Sequence, residues 1–256
     1  MNKAVISGII KSDPKLVIDH GEYQMRIKVK IQREDIGKDE ELTLFCRNEE
    51  MMHRLIEDDL HAGDLFTTSN GYIETVNYIQ DEDWACSHCG HVEHNSHKAE
   101  IMNVCFHDYQ FLRSADNDGS AVGINRVFVS GIVNTKPVAM VSRLHDGREI
   151  HRTKFKLEIR DENTGRRSMY PFVIAFRQNA ETIAMKLNKG DRILLYGSAQ
   201  ERNFLKMMKN MKCPDCGYVS SPGVYYTVRE VIMTDCETLA RRQDEPGRAA
   251  AKESGE

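Results

Sequence analysis

The chain has 256 residues and a mass of 29.3 kDa, with 40% hydrophobic and 29% charged residues, which excludes a wholly disordered polymer. It contains no run of about 18 apolar residues, so no membrane-spanning helix is predicted. The formal net charge of -4 is not that of a typical basic nucleic-acid binder, a bulk figure that the distribution along the chain revises below.

The first predicted element, Asn2-Lys3-Ala4-Val5-Ile6-Ser7-Gly8-Ile9-Ile10, returns 123 residues later as Asn125-Arg126-Val127-Phe128-Val129-Ser130-Gly131-Ile132-Val133. Pro14 falls on Pro137 at the same spacing. Gly63-Asp64 then answers to Gly190-Asp191, Gly71 to Gly197, and Cys86 and Cys89 to Cys213 and Cys216. Two copies of one domain are the simplest reading, over 1–114 and 122–239. A polar Gly/Ser/Asp linker is expected at 115–121, and a disordered tail at 240–256, where aromatic and β-branched residues run out.

Within each copy the second element is a strand with one buried face. Met25, Ile27, Val29 and Ile31 alternate with Arg26, Lys28 and Lys30; later Phe155, Leu157 and Ile159 alternate with Lys154, Lys156 and Arg160. A third strand is predicted at 42–46 and 170–176, and helical stretches at 49–60 and 180–187, the latter closed by Asn188-Lys189-Gly190. Fourth strands start at Gly63 and Gly190, and fifth strands run near 101–112 and 224–234. Strands 1-2-3, a helix, then strands 4-5 are the elements of a five-stranded Greek-key barrel, the OB-fold, twice over; a generic β-sandwich is the competing architecture.

These residues resemble a known family. Asn125–Gly131, Lys154-Phe155-Lys156-Leu157 and Leu187–Gly197 in the second copy are similar to bacterial single-stranded DNA-binding proteins and the related primosomal replication protein. The first copy resembles them through Leu44–Asn48, Gly63-Asp64 and Gly71–Thr75, so the likeness spans most of the chain. The resemblance implies sequence-independent binding of single-stranded DNA, in replication, recombination or mobile-element transfer. It also implies four OB-folds per assembly, which a homodimer of this chain would restore. Family members end in an acidic tail with a hydrophobic tip that recruits replication and repair proteins; this chain ends Ala250–Glu256 without that tip.

Single-strand binding needs cations along the phosphates and aromatic faces for the bases. Outward positions of strand 2 offer Arg26, Lys28 and Lys30 in one copy, and Arg152, Lys154 and Lys156 in the other. Arg47 and Arg177 extend these rows on strand 3. On strand 4, Tyr72 and Tyr78 share a face, Arg202 and Phe204 answer them in the second copy, and Trp84 lies just beyond. The competing account makes each of these a solvated strand face or a barrel cap. Phe45, Phe128, Phe155 and Phe172 read as core.

Cys86-Ser87-His88-Cys89-Gly90 and Cys213-Pro214-Asp215-Cys216-Gly217 have the form of zinc knuckles, in the hairpin between strands 4 and 5. Each supplies two ligands of a four-ligand structural site. Either both knuckles share one zinc through Cys86, Cys89, Cys213 and Cys216, or the first closes locally with His91, His94 or His97. Seven cysteines and a start without a secretory pattern predict reduced thiols in the cytoplasm. No catalytic motif is present, so an enzyme is not expected.

The net charge divides sharply. Residues 1–120 carry 12 Lys+Arg against 23 Asp+Glu, whereas residues 121–239 carry 19 against 12. The second copy is therefore expected to hold most of the DNA affinity, and the acidic groups of the first, among them Asp35, Asp39 and Glu41, to face away from DNA or toward a partner. Two alternatives remain: an adaptor with one DNA-binding and one protein-binding OB-fold, and an RNA-binding OB protein.

Overall fold

The computed structural model describes residues 1–19, 22–33, 37–116, 123–143, 147–160 and 168–241. The first repeat comprises β1 (Asn2–Asp19), β2 (Glu22–Arg33), β3 (Lys38–Cys46), α1 (Glu49–Glu57), β4 (Leu65–Asp81), β5 (Trp84–Ala85), β6 (Val92–Glu93), β7 (Ser96–Phe106) and β8 (Gln110–Leu112). The second comprises β9 (Ile124–Val133), β10 (Val138–Arg143), β11 (Glu149–Arg160), β12 (Ser168–Met169), β13 (Phe172–Phe176), α2 (Gln178–Lys186), β14 (Arg192–Met207), β15 (Met211–Lys212), β16 (Val219–Ser220) and β17 (Gly223–Ala240). Of the expected linker and tail, 117–121 and 242–256 lie outside the described residues.

Both repeats close as OB barrels in the same way. In the first, β1 pairs antiparallel with β2 and β4, and β3 runs parallel to β7, with Leu44 opposite Val104. In the second, β9 pairs with β11 and β14, and β13 runs parallel to β17, with Val173 opposite Val231. Period-2 alternation drives this closure. Ile27, Val29, Leu44, Phe66 and Ile73 are buried inside the first barrel, and Val129, Phe155, Leu157, Leu195 and Val231 inside the second. Gly8 and Gly131 occupy matching points where the first strand of each repeat passes close beneath its neighbour. A Cβ there would stand 2.7 Å from the Lys30 carbonyl oxygen and 2.5 Å from that of Glu158, which only glycine avoids.

The barrels join through their first strands. β1 pairs antiparallel with β9 from Asn2 opposite Val129 to Ser7 opposite Ile124, which merges both repeats into one 13-stranded sheet. No helix among the described residues is long and apolar enough to cross a membrane.

A matching latch ties each helix–strand corner to the end of its repeat. The buried Asp64 carboxylate accepts from the backbone N–H groups of His61 and Ser114 (3.0 and 2.9 Å) and pairs with Arg113 at 3.0 Å. Asp191 repeats this with the Asn188 N–H at 2.9 Å and Arg241 at 3.3 Å. Burial alone would raise the Asp64 carboxyl, but these donors outweigh it and hold it below the ordinary carboxylate value. A depressed folded-state value stabilises above the unfolded value of about 3.9 and is lost as pH falls through the folded one. Asp64→Asn is therefore expected to lower the melting temperature at pH 7 while flattening its fall as the pH drops below about 4. Parallel pH profiles for the variant and the parent protein would contradict this account.

Candidate metal centre and nucleic-acid face

The long hairpins β4–β7 and β14–β17 project from their barrels and converge at their tips. At each tip the backbone folds as a knuckle. Gly90 N–H donates to the Cys86 carbonyl and Cys86 N–H to that of His91 (2.9 and 2.7 Å). Gly217 N–H donates to the Cys213 carbonyl and Cys213 N–H to that of Tyr218 (2.9 and 2.8 Å). Gly90 and Gly217 sit at φ +77° and +72°, the left-handed region in which a side chain is strained.

The two knuckles bring four sulfurs together. Cys86 Sγ lies 3.7 Å from Cys216 Sγ, Cys89 Sγ lies 3.6 Å from Cys213 Sγ, and all four fall within 4.8 Å of one another. Both short contacts run between repeats. A tetrahedral ion with metal–sulfur bonds of about 2.3 Å has ligand sulfurs about 3.8 Å apart, so the donor set fits one metal ion shared by both hairpins. The backbone N–H groups of Cys89 and His88 draw the Cys86 thiol down to about 6. The His91 amide favours the Cys89 thiolate too, but the crowding thiols, led by Cys216, push it up to about 12. Four thiolates within 4.8 Å of one another would need a cation among them.

The histidines considered for a local site are engaged elsewhere. His91 lies 3.2 Å from Glu93 through Nε2 and 2.9 Å from Asp215, on the opposite knuckle, through Nδ1. His94 pairs with Asp83 at 3.0 Å, and His97 lies 3.7 Å from Glu82. His88 instead stacks on Tyr218 of the other knuckle, ring centroids 5.4 Å apart.

Trp84 requires a correction. It is 4% exposed and packs with Cys86, Cys213 and Met211 into a small core beneath the knuckles, so it offers no face to a base. Sequence position placed it at a strand tip; the neighbouring hairpin, which covers it, was not readable.

The expected cationic rows do lie on outward faces, but most of their members already have partners. Lys28 and Lys30 pair across to Glu41 and Asp39 on β3 at 3.0 and 2.6 Å, and Lys11 also holds Glu41. These carboxylates therefore share the face of the lysines instead of pointing away, which corrects the expectation for Asp39 and Glu41; Asp35 lies outside the described residues. Arg47 is held by both oxygens of Glu74, at 3.1 and 3.0 Å. In the second repeat, Lys154 and Arg202 converge on the buried Glu230 at 2.9 and 3.2 Å. Arg152 lies beside them on β11, opposite Phe176.

Arg177, like Arg47, lies just past its strand instead of on it. It follows β13 and starts α2 as its N-cap, at φ +57° and without a side-chain cap, where the first repeat has Asn48 accepting from Met51 N–H. It is exposed beside Arg126, Arg148 and Phe176. Among the aromatics, Phe204 is 46% exposed, with Arg202 5.8 Å from its ring centroid. Tyr78 is half-buried and its hydroxyl donates to Gln80 at 2.7 Å. Tyr72 stacks on His107, and burial raises its hydroxyl above the ordinary value. Phe155 is a core residue as expected; Phe45 is also buried, but on the outer face of β3 beneath Arg229, and Phe128 and Phe172 are only half-buried.

Sequence reasoning missed how the hairpins lie. Each crosses the outer surface of the opposite barrel. Glu201 on β14 accepts from Thr43 N–H and Oγ1 at 3.2 and 3.0 Å, and Arg229 on β17 reaches Asn103 at 2.8 Å and stands 4.8 Å from the Phe45 ring centroid. In the other direction Glu100 on β7 pairs with Lys156 at 3.1 Å, and Thr75 Oγ1 accepts from Tyr170 N–H at 3.2 Å.

Two solved structures are similar in fold to this chain along nearly its whole length. The wild-type single-stranded DNA binding protein from Thermus aquaticus superposes with a TM-score of 0.59 at 14% identity, covering 96% of this chain and 97% of that one. This chain has the same fold. A deletion mutant of the Thermus aquaticus protein gives 0.57 at 16% identity, covering 96% and 98%. No protein-family model and no curated protein matches the sequence. The likeness is therefore one of fold, while the knuckle cysteines are argued from this chain's own geometry.

Proposed function

We propose that this protein is a non-catalytic binder of single-stranded DNA with little sequence preference, acting in replication, recombination or mobile-element transfer. The observation that carries this reading is the tandem-barrel architecture shared with the Thermus aquaticus protein over 96% of the chain. It is joined by a second repeat in which Arg152, Lys154 and Lys156 occupy outward positions of β11 and Arg202 stands 5.8 Å from the ring centroid of the exposed Phe204. Such a face can neutralise phosphates and stack bases at the same time. Cys86, Cys89, Cys213 and Cys216 would hold one zinc, which has no redox chemistry and serves here to lock the two hairpin tips together.

Titration of a fluorophore-labelled oligo(dT) is expected to show binding that weakens steeply with salt. If four phosphates are neutralised, log K falls with log salt at a slope of about -3. Intrinsic tryptophan fluorescence is the wrong probe, because Trp84 lies in the knuckle core. No binding at low salt overturns the proposal, and stronger competition by matched RNA than by DNA would move the preference to RNA. The adaptor reading is favoured by one observation, the pairing of Lys28 and Lys30 with acidic neighbours in the first repeat. It predicts that removing both lysines leaves oligo(dT) affinity unchanged.

A further inference from the structure

The repeats are related by an approximate two-fold, so each of the two places where a hairpin crosses the opposite barrel serves as a control for the other. One crossing is filled. There Arg229 and Glu201 pair at 2.7 Å, with side chains only 12% and 13% exposed, and Arg229 covers Phe45. The other is open. Between β4–β7 and the outer face of β11 and β13 lies a cleft of about 180 Å³, well above the roughly 10–15 Å³ that one water needs.

Its walls are aromatic and come from both repeats: Tyr78 from the first, and Tyr170, Phe172 and Tyr226 from the second. All four are half-buried, so their rings are neither core nor fully solvated. Cations stand at the same place. Lys154 Nζ lies 3.9 Å and Lys156 Nζ 4.9 Å from the Phe172 ring centroid, and Arg229 also lines the cleft. Tyr226 is fixed by its hydroxyl, which donates to Glu82 across the repeats, and Lys206 joins the same carboxylate at 3.1 Å. Half-exposed rings lining one cleft beside cations match a planar, electron-poor ring system attached to an anionic chain.

We infer that this cleft is a composite nucleotide site: one base of the bound single strand inserts among Tyr78, Tyr170, Phe172 and Tyr226, and its flanking phosphates lie on Lys154 and Lys156. The inference rests on the single-strand reading above and adds to it a specific seat that neither repeat can form alone. Phe172 thereby changes from a core residue to a stacking one. The metal centre acquires a function as well, since it fixes the hairpin tip that forms one wall.

The test is photochemical cross-linking of the full chain to an oligo(dT) substituted with 5-iodouracil, with the linked residues mapped by mass spectrometry. Cross-links are expected at one or more of Tyr78, Tyr170, Phe172 and Tyr226. Tyr170→Ala is expected to remove those links and weaken binding about 5- to 140-fold, the range given by about 1–3 kcal/mol per stacked base. Tyr170→Phe, which keeps the ring, retains both. If oligo(dT) binds with cross-links only outside the cleft, and Tyr170→Ala binds like the parent protein, the site is wrong while the single-strand reading survives. Absence of any oligo(dT) binding overturns both. Should Tyr170→Ala fail to fold, the cross-link map of the parent protein decides alone.

Discussion

Cys213→Ser is expected to abolish metal binding as completely as Cys86→Ser, taking the content from one zinc per chain to none. The two residues lie in different repeats, yet their sulfurs belong to one cluster within 4.8 Å, and three thiolates leave a tetrahedral structural site open. A local Cys2His2 site predicts a different outcome: Cys213→Ser would keep its zinc. That outcome would need two of His91, His94 and His97 to leave their carboxylate partners. Structural zinc contributes about 10–16 kcal/mol of apparent binding free energy in small zinc-finger peptides, where nothing else holds the fold. Here the barrels share a hydrophobic core that is separate from the small cluster beneath the knuckles, so metal loss should free the hairpin tips and leave the barrels folded. Trp84 reports this directly. It is the single tryptophan of the chain, buried against Cys86 and Cys213, and a chelator should shift its emission to the red while far-ultraviolet circular dichroism changes little. Global unfolding on chelation would show that the metal holds more than the tips.

What the sequence made legible and what it hid divide along a physical line. Repeated glycines, strand alternation and paired CxxC knuckles are local signals, and they led to two OB barrels with matched cysteines. Gly8 and Gly131 are readable because close packing leaves no other choice at either point. Partners across strands and across repeats were not readable. Alternation places Lys28 and Lys30 on an outward face, but only the register of β2 against β3 sets Thr43 beside Lys28 and Glu41 beside Lys30, from where Glu41 reaches Lys28. Trp84 illustrates the same limit: its burial is decided by a hairpin more than 120 residues away. Arg177 replaced a capping Asn at a helix start, a departure that only alignment of the repeats through their barrel closures exposes.

Glu230 should show the largest separation between stability and binding. It is 1% exposed and accepts from Lys154 and Arg202 on the face proposed to meet DNA. A carboxylate buried to this degree depends on its two cations. Removing both in Lys154→Ala/Arg202→Ala strands it, and a cost of about 3–5 kcal/mol is expected because the desolvated charge keeps no counter-ion. A loss of DNA affinity in that double variant would therefore mix unfolding with missing phosphate contacts. Glu230→Gln separates them. The amide keeps the shape and can still accept from one of the cations, while both regain a full positive charge toward solvent. The expected result is a small change in melting temperature, tighter oligo(dT) binding at low salt, and a salt slope steeper by about 0.7 for each phosphate newly engaged. Unchanged affinity and slope in a folded Glu230→Gln protein would mean that Lys154 and Arg202 serve the barrel alone, and would move the phosphate path toward Arg126, Arg148 and Arg177 around the start of α2.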